Sequence, residues 1–318
     1  MTIAILCGKN QEEHQEYEWF CTAFIRELLA VDPSLKIQCW PAITDYNVVT
    51  CVLAFKQPPS ELKKFPHLKA IFSLGAGVDH LLSDPTVPDH LPITRIVDPM
   101  MARDITHYAI TAVLNHIRLT SHWHLLQQQK IWYKHPPFNL AHKTLGIMGL
   151  GFLGRSVAEA AVALQIKTIG WSRSQKHIPS IHCYTGEDEF IPFLQATDIL
   201  VCLVPYTPIT KNKLNHSAFA ALRDEAYVIN IARGPIVVDN DLLDALNQGK
   251  LSGACLDVFH QEPLEPNHPF WSHPKITVTP HIASVTDPAT AALQLVENYH
   301  RLMQNQPLNN CVDRERGY

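Results

Sequence analysis

The chain has 318 residues, of which 46% are hydrophobic and 18% charged, with a formal net charge of −4. That length is generous for one hydrophobic core and suits two domains. The balance excludes a disordered chain, and the lack of any basic block argues against a nucleic-acid partner. The N-terminal stretch "MTIAILCGKN" has neither a basic start nor a long apolar run, so no signal peptide is expected. No apolar run approaches the ~18 residues of a membrane span. The eight cysteines form no C-x-x-C pair and several sit inside apolar runs. They are expected to be buried free thiols in a reducing, cytoplasmic setting.

In chain order, short apolar runs alternate with amphipathic stretches, the pattern of an α/β protein built on parallel sheets. "TIAILCG", "KIQCW", "CVLAF", "KAIFSLG" and "PITRI" read as strands, with a helix from about Glu12 to Ala30 between the first two. A long helix is expected from about Arg103 to Lys130, followed by a proline-bearing connection, "HPPFNLAHK". "TLGIM", "KTIGW", "DILVCLV", "AYVINI", "GACLDV" and "KITVTP" then make six strand candidates, the count of two mononucleotide-binding halves. A last helix runs from about Pro288 to Asn305. The reading is two doubly wound domains with a boundary near Asp98 to Met101.

The second series opens on Gly149-x-Gly151-x-x-Gly154, between a strand and the helix-forming run "RSVAEAAVAL". The first glycine permits a tight turn, the second lets backbone approach a pyrophosphate, and the third lets helix pack on strand. Phe152 and Leu153 belong to the same turn, whose helix N-terminus offers free N–H groups to phosphate. At the end of the next strand an NAD site would carry a carboxylate for the ribose hydroxyls. The sequence there is Trp171-Ser172-Arg173-Ser174. Arg173 offers a permanently charged fork for a 2′-phosphate, and Ser172 and Ser174 add hydroxyls, so NADP(H) is the expected cofactor.

Three ionisable residues follow later strands: Arg233 after "VINIA", Glu262 after "LDVFHQ" and His281 after "VTP". In a doubly wound sheet, ligands bind beyond these carboxyl ends. The set suits hydride transfer to a 2-keto acid. His281 can protonate the keto oxygen, Glu262 can hold the ring and favour its charged form, and Arg233 can bind the carboxylate and polarise the carbonyl. Earlier in the chain, Gly75-Ala76-Gly77 follows a buried strand, and its backbone N–H groups can hold a carboxylate. The histidines suggest no metal site: His122 and His124 lie two apart on a helix and do not share a face, and His107 and His116 lack a third ligand.

These segments resemble the D-isomer-specific 2-hydroxyacid dehydrogenases, most closely the glyoxylate/hydroxypyruvate reductase A branch. "LGAGVDH", "GIMGLGFLG", "WSRSQK", "VINIARG", "LDVFHQEPL", "TPHIAS" and "VDRERGY" carry the resemblance along essentially the whole chain. It implies a Rossmann nucleotide-binding domain over residues 100–285 and a flavodoxin-like substrate domain from residues 1–99 and 286–318. It implies Arg233, Glu262 and His281 as catalytic residues, with Gly75, Ala76, Gly77, Arg233 and His281 at the substrate. It places Val204 and Pro205 near the adenine half of the cofactor, and Ile231, Ala232 and Asp257 near the nicotinamide, with Asp257 on the carboxamide. It implies NADPH-dependent reduction of glyoxylate or hydroxypyruvate in a homodimer formed through the nucleotide domain and its leading helix. D-lactate or phosphoglycerate chemistry, or a dinucleotide-sensing binder of corepressor type, are the alternatives the same family contains. Two segments depart from the pattern. Lys56 and Gln57 stand where reductase A members carry Trp-His, which leaves the preferred 2-keto acid open, and "DPMMARDITHY" differs at the hinge.

Overall fold

The computed structural model describes residues 2–134 and 143–318. Most of the expected proline-bearing connection therefore lies outside the described residues. The chain divides into two compact units, Met1–Met101 with Thr286–Tyr318, and Ala102–Val285.

The first unit begins β1 (Thr2–Cys7), α1 (Gln11–Glu16), α2 (Glu18–Val31), β2 (Lys36–Cys39), β3 (Val49–Phe55), β4 (Ala70–Ser73), α3 (Asp79–Leu82) and β5 (Ile93–Thr94). Its five strands are all parallel, in the order β2-β1-β3-β4-β5, the flavodoxin-like arrangement. Parallel strands covered on both faces read as unbroken apolar runs, and β1 is buried along its whole length. The edge strand β2, "KIQC", is more exposed. The single helix expected from 12 to 30 is two helices meeting at Tyr17. The segment before Tyr17 buries nothing, whereas α2 buries Phe20, Cys21, Phe24 and Leu28 along one face.

Next come α4 (Pro99–Ile117) and α5 (Thr120–Gln128), where one helix was expected. The break falls at Leu119, which takes a left-handed φ of 53°. α4 starts earlier than expected because Asp98 caps it, its Oδ1 accepting Met100 N–H at 2.8 Å, and proline fits the first helical turn.

The second unit continues with β6 (Thr144–Met148), α6 (Phe152–Ala163), β7 (Lys167–Ser172), β8 (His182–Thr185), α7 (Phe190–Gln195), β9 (Ile199–Cys202), α8 (His216–Ala221), β10 (Ala226–Asn230), α9 (Asp239–Asn247), β11 (Leu251–Leu256) and β12 (Ile276–Val278). The sheet is parallel and seven-stranded, β12-β11-β10-β9-β6-β7-β8. Around β6 this is the Rossmann order, with the reversal between β6 and β9. The seventh strand is β8, absent from the sequence reading. Apolar clusters cover both faces, one around Phe193, Phe219, Leu242 and Leu246, the other around Val113, Val157, Ala161 and Ile229.

The chain returns to the first unit as α10 (Pro288–Met303), packed along α2. His300 Nε2 reaches Asp32 at 2.8 Å, and Val312 N–H donates to Ile93 O at 2.8 Å, so the tail pairs beside β5. All eight cysteines are free. Cys7, Cys21, Cys51, Cys202 and Cys255 are buried as expected, while Cys311 is exposed. No helix among the described residues is long and apolar enough to cross a membrane.

Candidate active site

The glycine turn joins β6 to α6. Gly149 has a φ of +111°, and a Cβ there would meet the Leu203 carbonyl carbon at 2.8 Å, so conformation and space both demand glycine. A Cβ on Gly154 would stand 1.8 Å from Gly149 O, which shows how closely the first turn of α6 lies on the loop. Gly151 is different, because a Cβ would meet nothing within 4 Å. It sits at the N-cap of α6 with no side-chain cap. Phe152 beside it is exposed and Leu153 is half-buried. The loop therefore leaves open space in front of uncapped helix N–H groups, which fits a diphosphate.

At the end of β7, Ser172 is buried and its hydroxyl donates to Ser174 O at 2.7 Å. The expected phosphate hydroxyl at 172 is thus turned inward to shape the loop. Arg173 and Ser174 are exposed. Of the three acidic residues beyond β8, Glu187 meets Lys213 at 2.6 Å and Glu189 takes the Thr185 N–H. The strand end thus carries the Arg173 guanidinium at its exposed surface. Val204 is buried and Pro205 exposed, and Pro205 O accepts the Thr210 hydroxyl at 2.7 Å.

Beyond β10 the turn is held by a buried residue the sequence reading missed. Asn230 donates to Arg233 O at 3.0 Å and accepts Ala232 N–H at 3.2 Å, which orients Ile231, Ala232 and Arg233 in succession. Arg233 Nη1 donates to Ala232 O at 2.7 Å. A Cβ on Gly234 would lie 2.0 Å from the Phe259 carbonyl carbon. The Arg233 segment therefore runs hard against the loop after β11 that carries Glu262.

That loop meets the turn after β12. His281 Nδ1 lies 2.8 Å from Glu262 Oε2, and Glu262 Oε1 accepts Phe259 N–H at 3.2 Å. With a carboxylate as partner, Nδ1 bears a proton, and Nε2 is the nitrogen turned away from that contact. Among the described residues, Nε2 has no hydrogen-bond partner, and the side chain is 37% exposed. His281 itself has a φ of +55°, unusual for a residue with a Cβ. Asp257 maintains that turn. Its backbone carbonyl accepts His281 N–H at 2.8 Å. Its fully buried carboxylate accepts Thr279 Oγ1 at 2.5 Å, Ile282 N–H at 2.9 Å and Ala283 N–H at 2.8 Å. Tyr108, on α4, completes the chain with its hydroxyl 2.5 Å from Thr279 Oγ1. The Asp257 side chain is thus given to the 279–283 turn. Asn230, Thr279 and Tyr108 left no sequence signal beyond standing near the strand ends or on the preceding helix.

In the first unit, Gly75-Ala76-Gly77 follows β4. Gly75 N–H donates to Ser73 Oγ at 3.2 Å, and none of the three has a left-handed φ. Lys56 and Gln57 follow β3. Lys56 has a φ of +48°, and its Nζ lies 3.3 Å from the Tyr17 hydroxyl. Gln57 is buried, donating to His80 O at 3.1 Å.

The family description "D-isomer specific 2-hydroxyacid dehydrogenase, NAD binding domain" matches residues 110–283. The chain is 39% identical over 312 residues to a glyoxylate/hydroxypyruvate reductase A of Klebsiella pneumoniae, covering 95% of this chain and 98% of that protein. It is 41% identical over 291 residues to the Yersinia enterocolitica protein of that name, covering 90% and 93%. A D-isomer specific 2-hydroxyacid dehydrogenase from Xanthobacter autotrophicus, solved with NADPH and MES, superposes with a TM-score of 0.91 at 33% identity, covering 100% of this chain and 99% of that one. An NADPH-dependent glyoxylate/hydroxypyruvate reductase of Sinorhizobium meliloti, solved with NADP and sulfate, gives 0.90 at 32% identity, with both chains fully covered. The glycine turn, the cationic strand end, the His281–Glu262 pair and these matches agree: the chain belongs to the D-isomer specific 2-hydroxyacid dehydrogenase family.

Proposed function

We propose that this protein reduces small 2-keto acids, glyoxylate and hydroxypyruvate among them, to the D-2-hydroxy acids with NADPH. The observation that carries the reading is the 2.8 Å contact between His281 Nδ1 and Glu262 Oε2, at the carboxyl edge of a Rossmann sheet. The backbone of Gly149, Gly151, Phe152, Leu153 and Gly154 would hold the cofactor diphosphate, Arg173 and Ser174 the 2′-phosphate, and Val204, Pro205, Ile231 and Ala232 the two ends. When bound, the reduced nicotinamide supplies a hydride to the keto carbon.

The protein's own part is binding, orientation and the proton. Arg233 binds the substrate carboxylate and draws charge towards the keto oxygen. His281 as the imidazolium delivers its Nε2 proton to that oxygen as negative charge develops, and is left as the neutral Nδ1–H ring. Glu262 holds the Nδ1–H throughout, favours the charged ring and so aims Nε2 outward, and positioned acid catalysis of this kind contributes roughly 10²–10⁴-fold in rate. The first unit is read as the substrate domain, with Ala76 and Gly77 as its backbone donors; the Gly75 N–H, expected to join them, is spent on Ser73 Oγ at 3.2 Å. The assembly is read as a homodimer through the nucleotide-binding domain, working in the cytoplasm.

The experiment is to follow the nicotinamide absorbance band with glyoxylate and hydroxypyruvate, each with NADPH and with NADH, and to compare kcat/KM. Turnover that favours NADPH and is lost in His281→Ala supports the reading. Absence of turnover with both acids and both cofactors overturns it.

A further inference from the structure

Outside the set just described, two histidines and one carboxylate form a cluster with no assigned role. Asp239 is the first residue of α9. His260 Nε2 lies 3.6 Å from its Oδ1, and His268 Nε2 lies 3.7 Å from its Oδ2. The hydrogen-bonding partners settle both tautomers. His260 Nε2 also lies 2.9 Å from Val237 O, which can only accept, so that nitrogen carries a proton. His268 Nδ1 accepts Phe270 N–H at 3.3 Å, so its proton sits on Nε2, the nitrogen that faces Asp239. Two imidazoles from one loop thus approach the two oxygens of one carboxylate at ion-pair distance, the His260 N–H itself being given to Val237 O. Burial holds the Asp239 carboxyl above its ordinary range, while His260 and His268 pull it back down.

The loop that carries these histidines also carries Glu262. It leaves β11, places His260 and Glu262 two residues apart, and folds back through His268, whose N–H donates to Glu265 O at 3.0 Å. The segment that carries Asp239 also carries Arg233. It passes from Arg233 through Gly234, against Phe259, and through Val237, whose carbonyl takes His260, to Asp239. The cluster therefore ties the Arg233 segment to the Glu262 loop next to the Gly234–Phe259 approach.

We infer that Asp239 is a positioning residue: by clamping His260 and His268 it sets where Glu262 stands, and through Glu262 the aim of His281 relative to Arg233. The inference rests on the proposed function, because it assigns Asp239 an effect through Glu262. Groups that act as a unit give non-additive losses, whereas independent ones multiply. The test is a double-mutant cycle on the full chain, measuring kcat and KM for hydroxypyruvate and NADPH in Asp239→Asn, Glu262→Gln and the double variant. Asp239→Asn is expected to lower kcat roughly 10-fold with KM values held within about 2-fold, as for a group acting in the transition state. In the Glu262→Gln background the same change is expected to cost less than about 2-fold further.

Multiplicative losses in the double variant, or full activity in Asp239→Asn, overturn the clamp while leaving the functional reading intact. An unchanged kcat in Glu262→Gln alone removes the proposed role of Glu262, and the clamp falls with it. If Asp239→Asn fails to fold, His260→Ala and His268→Ala each remove one imidazole from beside Asp239 and are carried through the same cycle. Each is expected to lower kcat by about 3-fold alone and to add nothing to Glu262→Gln.

Discussion

The Tyr108 hydroxyl stands 2.5 Å from Thr279 Oγ1, and Thr279 in turn spends its single hydroxyl proton on Asp257 Oδ1. Tyr108 must therefore be the donor, and a helix before the nucleotide sheet is tied through two hydroxyls to the turn that presents His281. Thr279→Val removes a donor from a buried carboxylate and is expected to cost ~1–3 kcal/mol. Tyr108→Phe removes a neutral hydrogen bond and should cost about 1 kcal/mol. Urea unfolding checks the order; equal stability of both variants with the parent would refute it.

Glu262→Gln keeps the size of the side chain and removes its charge. The amide can no longer hold the His281 Nδ1 proton as a carboxylate does. A fall in kcat of roughly 10²-fold with little change in KM is expected. Steady-state kinetics that show a raised KM with kcat retained would assign Glu262 to substrate binding instead.

Arg173→Ala tests the cation at the end of β7. NADPH-dependent kcat/KM is expected to fall roughly 10- to 100-fold, the worth of one or two charge-assisted hydrogen bonds. NADH-dependent kcat/KM should stay level or rise. Equal losses with both cofactors would mean that the residue shapes the loop and does not read the phosphate.

His116 supplies a pH prediction. Burial, helped by the charge of Lys143, lowers its pKa to about 4, and its ring stacks on Tyr227 at 4.0 Å. The unfolded chain, with its histidine near 6.5, binds the extra proton first as pH falls. Stability contributed by this neutral, stacked ring is present above about 6.5 and is lost progressively down to about 4. Denaturation midpoints of the parent and His116→Phe across that window should converge in their pH slope only if other groups dominate. A visibly flatter curve in His116→Phe is the expected result.

Gly234→Ala is expected to disable the enzyme out of proportion to its size. The added carbon would stand 2.0 Å from backbone of Phe259, so the Arg233 segment or the Glu262 loop must move. Loss of turnover with NADPH affinity unchanged, measured by cofactor fluorescence titration, would locate the damage between Arg233 and Glu262.

The buried parallel strands and the ionisable residues at their ends were legible because both are written in local order: an apolar run, then a polar residue. β8 was missed because "HCYT" lies at the sheet edge, where half-exposure leaves no apolar run. The helix breaks at Tyr17 and Leu119 carry no Gly or Pro to mark them. Ser172 faces inward because Ser174 O lies within its reach, a fact of loop geometry and not of composition. Asn230, Thr279 and Tyr108 matter through partners far away in sequence, so no spacing pattern could have found them.

The pairing of the tail with β5, and of α10 with α2, has a consequence for biogenesis. The second unit is one continuous stretch, Ala102–Val285, whereas the first draws on both ends of the chain. During vectorial synthesis, which adds ~5–20 residues each second, the nucleotide-binding unit can emerge whole while its predecessor still lacks a helix. The unit made first is thus the one completed last, and until α10 leaves the ribosome, α2 lacks the helix that packs along it.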